Sequence, residues 1–315
     1  MRILLVGPRG FCAGVNRAIE SLRLAIEHFG TPLYVYHEIV HNRWVVERFR
    51  SEGVVFVDDL DNVPQNAHLL YSAHGVSPEV RRRAAERQLR TIDATCPLVT
   101  RLHAEATRFA QAGYSIVLVG HRGHDEVVGV MGEAPEAITL VENVEDVDRL
   151  APPDPERVAY LTQTTLSVDE ARRIVARLVA RFPKIAGPKS RDVCYATQNR
   201  QEAVKRLVAQ ADCALVVGSQ NSSNSRRLAE ICRAGGVPTQ LVDGPDDIDT
   251  TRLDGHETVL ITAGASAPED IVQNCVRLLV DRFDAPVEHH QTREETVRFA
   301  LPGELEDKKG LGIRD

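Results

Sequence analysis

The sequence predicts an α/β protein built on mainly parallel sheets. Short runs rich in Val, Ile and Leu alternate with longer stretches of helical period, the rhythm of parallel strands joined by crossover helices. Polar loops fall at one place in each unit, directly after a strand run, and the elements are too numerous for one small sheet.

In chain order the strand runs are Ile3–Val6, Leu33–Tyr36, Val54–Val57, Ala67–Tyr71, Thr91–Asp93, Ser115–Val119, Ile138–Val141, Val158–Leu161, Ala214–Val217, Thr239–Leu241 and Thr258–Thr262. Helical period marks Val15–Phe29, whose Val15, Ala18, Ile19, Leu22, Ala25, Ile26 and Phe29 form one face and which Gly30 stops. Further helices are expected at Leu98–Ala112, Val168–Arg181, Glu202–Ala211, Ser225–Ala234 and Pro268–Arg282. APPDPE at 151–156 reads as a surface loop, and Glu304–Asp315 as a mobile polar tail.

The loops after the strands are HEIVHN (37–42), SAHGVS (72–77), GHRGHDE (120–126), TQTTLS (162–167), GSQNSSNS (218–225) and AGASAPED (263–270). Ligands of open α/β sheets bind beyond the carboxyl ends of the strands. Polar loops end strands in any protein, but six rich in His, Ser, Thr and Asn point to a site.

Composition narrows the function. The 315 residues are 43% hydrophobic and 26% charged, which excludes a disordered or collagen-like chain, and no apolar run approaches a membrane span. The start, MRILLVGPRG, lacks a small-residue cleavage site, so cytoplasm is the expected location. A net charge of −7 argues against a broad nucleic-acid surface. With five lysines against 33 arginines, a site for a phosphorylated ligand has to use neutral donors or histidine.

Six cysteines in a reducing compartment are not expected to pair, so any that matter are metal ligands or nucleophiles. Cys213, Cys232 and Cys275 lie in apolar or helical patterns and read as small core residues. Cys12, Cys96 and Cys194 instead lie between a strand and a helix, where the helix N-terminus favours the thiolate. Cys194 is placed a few residues before its helix, with Asn199 and Glu202 as a possible capping box. The intervals 96−12=84 and 194−96=98 suggest three comparable units. No C-x-x-C pair exists, which excludes a zinc ribbon or a ferredoxin-type run. Spacing alone leaves two readings, of which three ordinary loop cysteines is the simpler. The other is convergent soft thiolates, which favour an iron–sulfur cluster over zinc and leave one iron of a four-iron cluster open.

Nine strings, PRGFCAGV (8–15), HEIVHN, SAHGVS, DATCPLV (93–99), GHRGHDEV (120–127), TQTTLS, CYATQNRQEAV (194–204), GSQNSSNS and TAGASAP (262–268), closely resemble the 4-hydroxy-3-methylbut-2-enyl diphosphate reductase family, IspH/LytB, over about residues 1–303. The resemblance implies three small α/β units arranged as a pseudo-threefold trefoil around one 4Fe-4S cluster bound by Cys12, Cys96 and Cys194, with one open iron. It places the units at 14–96, at 97–193, and at 1–13 with 194–285, leaving 286–315 as a C-terminal segment and tail. The implied reaction is reductive dehydroxylation of an allylic alcohol diphosphate to isopentenyl and dimethylallyl diphosphates, the last step of the non-mevalonate pathway. Reduced ferredoxin or flavodoxin is the implied electron donor, with no nucleic-acid or membrane partner.

Residues matching the family's diphosphate-binding positions are His41, His74, His124, Ser222, Ser223, Asn224 and Ser266; Glu126 and Thr164 match those that handle the substrate hydroxyl and the proton. Asn42, Gln163 and Thr165 stand beside them as supporting residues. Chemistry agrees with these roles: Ser222-Ser223-Asn224 precede a helix that offers backbone N–H groups, and a nearby phosphate favours protonated histidines. A positioned acid is needed because hydroxide leaves poorly. Without the resemblance, Glu126 reads as a solvated surface carboxylate, and His28, His103 and His256 as satisfied structural histidines. Two other functions fit the cysteines: a non-redox cluster hydratase, and a cluster-based redox or iron sensor that leaves Glu126 and the Ser-Ser-Asn loop unused.

Overall fold

A computed structural model describes residues 1–189 and 192–306. The first half of the chain runs β1 (Arg2–Gly7), α1 (Ala13–Phe29), β2 (Leu33–Tyr36), α2 (Arg43–Ser51), β3 (Val54–Val57), β4 (His68–Tyr71), α3 (Pro78–Glu86), β5 (Arg90–Asp93), α4 (Pro97–Gln111), β6 (Ser115–Val119), α5 (Asp125–Met131) and β7 (Ile138–Val141). It continues α6 (Val144–Arg149), β8 (Val158–Thr162), α7 (Val168–Arg181), α8 (Tyr195–Leu207), β9 (Cys213–Val217), α9 (Ser223–Ala234), β10 (Thr239–Val242), β11 (Thr258–Ala263), α10 (Glu269–Phe283), β12 (Val287–Gln291) and α11 (Gly303–Glu306).

The fold is α/β, with three small parallel sheets. Contacts divide the chain into two compact units. One, residues 1–15, 41–48 and 195–297, holds a five-stranded sheet of order β10-β9-β11-β1-β12. Both faces of its inner strands β9, β11 and β1 are covered, which is why these read as nearly unbroken apolar runs. Ile3, Leu5, Leu215 and Ile261 face Val272, Cys275 and Leu279 of α10. Val6, Val216 and Leu260 face Val204 of α8 and Leu228 and Cys232 of α9.

The other unit, residues 16–40, 49–194 and the described residues from 298 on, holds two sheets, β3-β2-β4-β5 and β7-β6-β8. In the three-stranded sheet Val117, Val119 and Val158 pack with Ile174 and Leu178 of α7. Ile116, Leu118 and Leu161 pack with Leu102, Ala106 and Phe109 of α4 and with Val127 and Val130 of α5.

All eleven expected strand runs form strands, and six expected helices form. Three differences concern the site. Helix α8 starts at Tyr195 rather than Glu202, so Asn199 lies inside it and no Asn199–Glu202 capping box exists. Residues 125–126 and 223–225 are the first turns of α5 and α9 rather than loop. Finally, Val287–Gln291 is a strand that pairs in parallel with β1, Leu5 opposite His289 and Gly7 opposite Gln291. The 151–156 loop is irregular and mostly exposed. The last part of the expected polar tail, 307–315, lies outside the described residues.

Candidate active site

Every expected site residue except Cys194 stands in the connection after a strand or on the helix that follows it; Cys194, expected between a strand and a helix, instead lies between α7 and α8. In the five-stranded unit four of these positions are joined by hydrogen bonds. Cys12 N–H donates to the Ala265 carbonyl at 3.2 Å, and Ala265 N–H donates to Asn224 Oδ1 at 3.0 Å. Next to Ala265, the Ser266 hydroxyl donates to the His41 carbonyl at 2.9 Å. Asn224 also donates from Nδ2 to Thr197 Oγ1 of α8 at 3.2 Å. Ser222 caps α9 by accepting from Ser225 N–H at 3.3 Å, and it also accepts from the Ser225 hydroxyl at 3.0 Å. A Cβ on Gly218 or Gly264 would come within 2.1 or 2.0 Å of Ser225 Oγ, so these strand-end glycines keep the space for that hydroxyl. Ser222, Ser223 and Asn224 are all buried. Asn42 caps α2, accepting from Val45 N–H at 3.1 Å.

The second unit links its expected residues in another way. Cys96 is the N-cap of α4, and its N–H donates to the Ala73 carbonyl at 3.0 Å, beside His74. His74 meets the His124 ring edge to face, with 5.8 Å between centroids. His124 caps α5, its Nδ1 accepting from Glu126 N–H at 3.2 Å.

Glu126 is 2% exposed, so it is not the solvated carboxylate that its sequence context suggests. Thr164 N–H donates to its Oε1 at 2.6 Å and the Thr164 hydroxyl to its Oε2 at 2.7 Å. The Thr164 carbonyl in turn accepts from Cys194 N–H at 3.0 Å. Cys96, His74, His124, Glu126, Thr164 and Cys194 therefore form one continuous series of contacts. Gln163, fully buried, braces it by accepting from His121 N–H at 3.0 Å and donating to Thr165 Oγ1 at 3.0 Å.

Asp192 and His37 escape the sequence reading. Asp192, buried just before Cys194, accepts from Thr162 N–H at 2.9 Å; burial, with the negative charges of Glu105 and Glu126, pushes its carboxyl up to about 7. His37 Nδ1 bonds Asp125 Oδ1 at 2.8 Å, and this bond raises the imidazole above its ordinary value. Buried His103 bonds Glu133 at 2.7 Å and lies under Gly75 of the SAHGVS loop, which fits the structural role expected for it. No simple motif carries these pairs, because their partners lie 30 to 88 residues apart.

Cys232 and Cys275 are buried, whereas Cys213, the first residue of β9, is half-buried. None of the six is in a disulfide. Burial pushes the thiols of Cys213 and Cys232 up to about 11 and that of Cys275 up to about 12, which suits inert packing groups. Cys12, Cys96 and Cys194 are half-buried, and each immediately precedes the first residue of a helix, at Ala13, Pro97 and Tyr195. Three soft donors, each beside the positive end of a helix, fit a thiolate-bound iron–sulfur group.

A buried acid bonded to a hydroxyl, strand-end histidines and poised thiols are the equipment of a parallel α/β enzyme. A family model described as LytB protein matches residues 3–280, and the chain belongs to that family. It is 58% identical over 305 residues to the 4-hydroxy-3-methylbut-2-enyl diphosphate reductase of Rhodopirellula baltica, spanning 97% of this chain and 96% of that one. It is 53% identical to the reductase of the same name from Mycolicibacterium paratuberculosis, over 96% and 92% of the two chains. The structure matches that of the E-1-hydroxy-2-methyl-but-2-enyl-4-diphosphate reductase from Plasmodium falciparum with a TM-score of 0.95, at 38% identity over 98% of both chains.

Proposed function

We propose that the chain reduces 4-hydroxy-3-methylbut-2-enyl diphosphate to isopentenyl and dimethylallyl diphosphates, two electrons and two protons replacing the hydroxyl that leaves as water. The observation that carries this reading is the buried Glu126–Thr164 pair, bonded onward to the backbone of Cys194. Cys12, Cys96 and Cys194 hold one 4Fe-4S cluster with one iron free of protein ligands, within three α/β units at 14–96, 97–193, and 1–13 with 194–285. When bound, such a cluster supplies electrons and a Lewis-acidic iron.

The chain's own residues do the rest. Ser222, Ser223, Asn224 and Ser266, with His41, His74 and His124, bind the diphosphate. Ser222-Ser223-Asn224 add backbone N–H groups at the start of α9. Glu126 holds the proton for the departing hydroxyl, and the 2.7 Å contact between its Oε2 and Thr164 Oγ1 is the path along which it moves. Burial keeps bulk water from that proton. Reduced ferredoxin or flavodoxin provides the electrons, in the cytoplasm.

Anaerobic iron and sulfide quantitation, followed by turnover with a reduced one-electron donor, tests the proposal. Iron-dependent visible absorbance and conversion to both products are expected. Conversion without electrons would identify a hydratase, and ligand binding without conversion a sensor; either overturns the proposal.

A further inference from the structure

The segment after α10 does more than end the chain. Strand β12 lies against β1, and beyond it Thr292 donates from N–H at 3.0 Å and from its hydroxyl at 2.9 Å to the Gly7 carbonyl. Three residues further on, Glu295 meets Arg200 of α8, with Nη1 at 3.1 Å from both carboxylate oxygens. The Arg200 side chain is fully buried and that of Glu295 is 14% exposed. Arg200 Nη2 donates to the Gly10 carbonyl at 2.7 Å, and Gly10, at φ +70°, is the turn residue two positions before Cys12. Asn199 Nδ2 donates to Glu295 Oε1 at 2.9 Å, and Arg293 donates to Asn199 Oδ1 at 3.1 Å. Gly7 and Gly10 of the 7–12 loop are thus tied to the 292–295 segment, the first by a threonine and the second through a buried ion pair.

We infer that residues 292–295 form a strap, with Glu295 and Arg200 as positioning residues that hold the Gly7–Cys12 loop so that Cys12 presents its thiol in a fixed place. A guanidinium removed from water demands a carboxylate, and Glu295 is the carboxylate that meets it. Because Arg200 spends its other arm on a backbone carbonyl, the ion pair is converted into loop geometry. A lysine at 200 has one ammonium and cannot form both bonds in this fork geometry. The functional weight of the strap rests on the reading of Cys12 as a cluster ligand, whereas its mechanical effect is measurable without any cluster.

The test is alkylation of the apoprotein with iodoacetamide, read at each cysteine by peptide mass spectrometry. In Glu295→Gln, Cys12 is expected to react about tenfold faster than in the unchanged protein, while Cys96 and Cys194 keep their rates, because only the Cys12 loop opens. Arg200→Lys should behave alike, and Glu295→Asp should restore much of the original rate. An unchanged Cys12 rate, or equal acceleration at all three cysteines, overturns the inference. Should these variants fail to fold, Thr292→Val carries the same comparison, with an expected acceleration of about twofold. Absence of iron in the reconstituted parent would sink the cluster reading and leave the alkylation result standing.

Discussion

The two units hold their expected site residues by different chemistry. In the five-stranded unit the bonds join amides, hydroxyls and carbonyls: Asn224 to Ala265 and Thr197, Ser222 to Ser225, and Ser266 to the His41 carbonyl. In the unit with two sheets they run through imidazole and carboxylate, from His124 to Glu126 to Thr164, with Asp192 close by. Neutral donors on rigid strand ends bind an anion without changing charge over the working pH range. Titratable groups handle protons but depend on burial to keep them in place. On the proposed reading the first set serves recognition, and in the second Glu126 and Thr164 serve proton transfer beside the diphosphate-binding His74 and His124.

That contrast can be broken by substitution. The largest effect is expected from Cys96→Ser, which should lower iron and sulfide content and abolish turnover. Cys213→Ser, at the start of core strand β9, should leave both intact and shift the melting temperature by a few degrees; equal effects would erase the division of the cysteines. Next, Glu126→Gln keeps the shape of the acid and removes its proton chemistry, so kcat should fall by about 10²–10⁴ with cluster content and substrate affinity retained. Ser222→Ala removes a helix cap in the neutral set, for which about 1 kcal/mol of stability loss is expected, together with a raised KM and a nearly unchanged kcat. A fall in kcat alone would place Ser222 in the proton-handling set.

The smallest effect sharpens the comparison through pH. The Asp125 bond raises the His37 imidazole above its ordinary value of 6.5, with Asp58 and Glu38 contributing in the same direction. Stability from this pair is therefore full below pH 6.5 and is lost as pH rises through the folded-state value above it. His37→Gln should remove at most about 1 kcal/mol at pH 6, with little change at pH 9, measured by urea denaturation at both values.

Strands of the fold were legible because both faces of the central sheets are buried, so runs such as Leu215–Val217 and Leu260–Ile261 stay apolar without interruption. Strand β12 gave no such signal: VEHHQ lies at the sheet edge, paired with β1 alone, and nothing in its polarity alternates with burial. Short helices α2, α3, α5 and α6 hid inside polar or charged stretches, too brief for a clear 3.6-residue period. In the site, Cys12 and Cys96 were separable by context, since a strand–Cys–helix junction differs from an apolar run, whereas Cys194 follows α7 and not a strand. Glu126 was recognisable only through the family resemblance, because its burial depends on Thr164, 38 residues further along the chain. Arg200 and Glu295 were not legible for the same reason, their ion pair joining a helix to a segment 95 residues away.

Strand β1 lies between β11 and the edge strand β12, and those partners begin at Thr258 and Val287. At roughly 5–20 residues per second of synthesis, about 250 residues, and so on the order of 10–50 s, separate the emergence of RILLVG from that of its first neighbour. An apolar strand with both edges open for that long is an invitation to pair with another nascent chain. For this architecture, yield in the cell should therefore respond to translation speed and chaperone supply more than to mutations that merely strengthen the finished core.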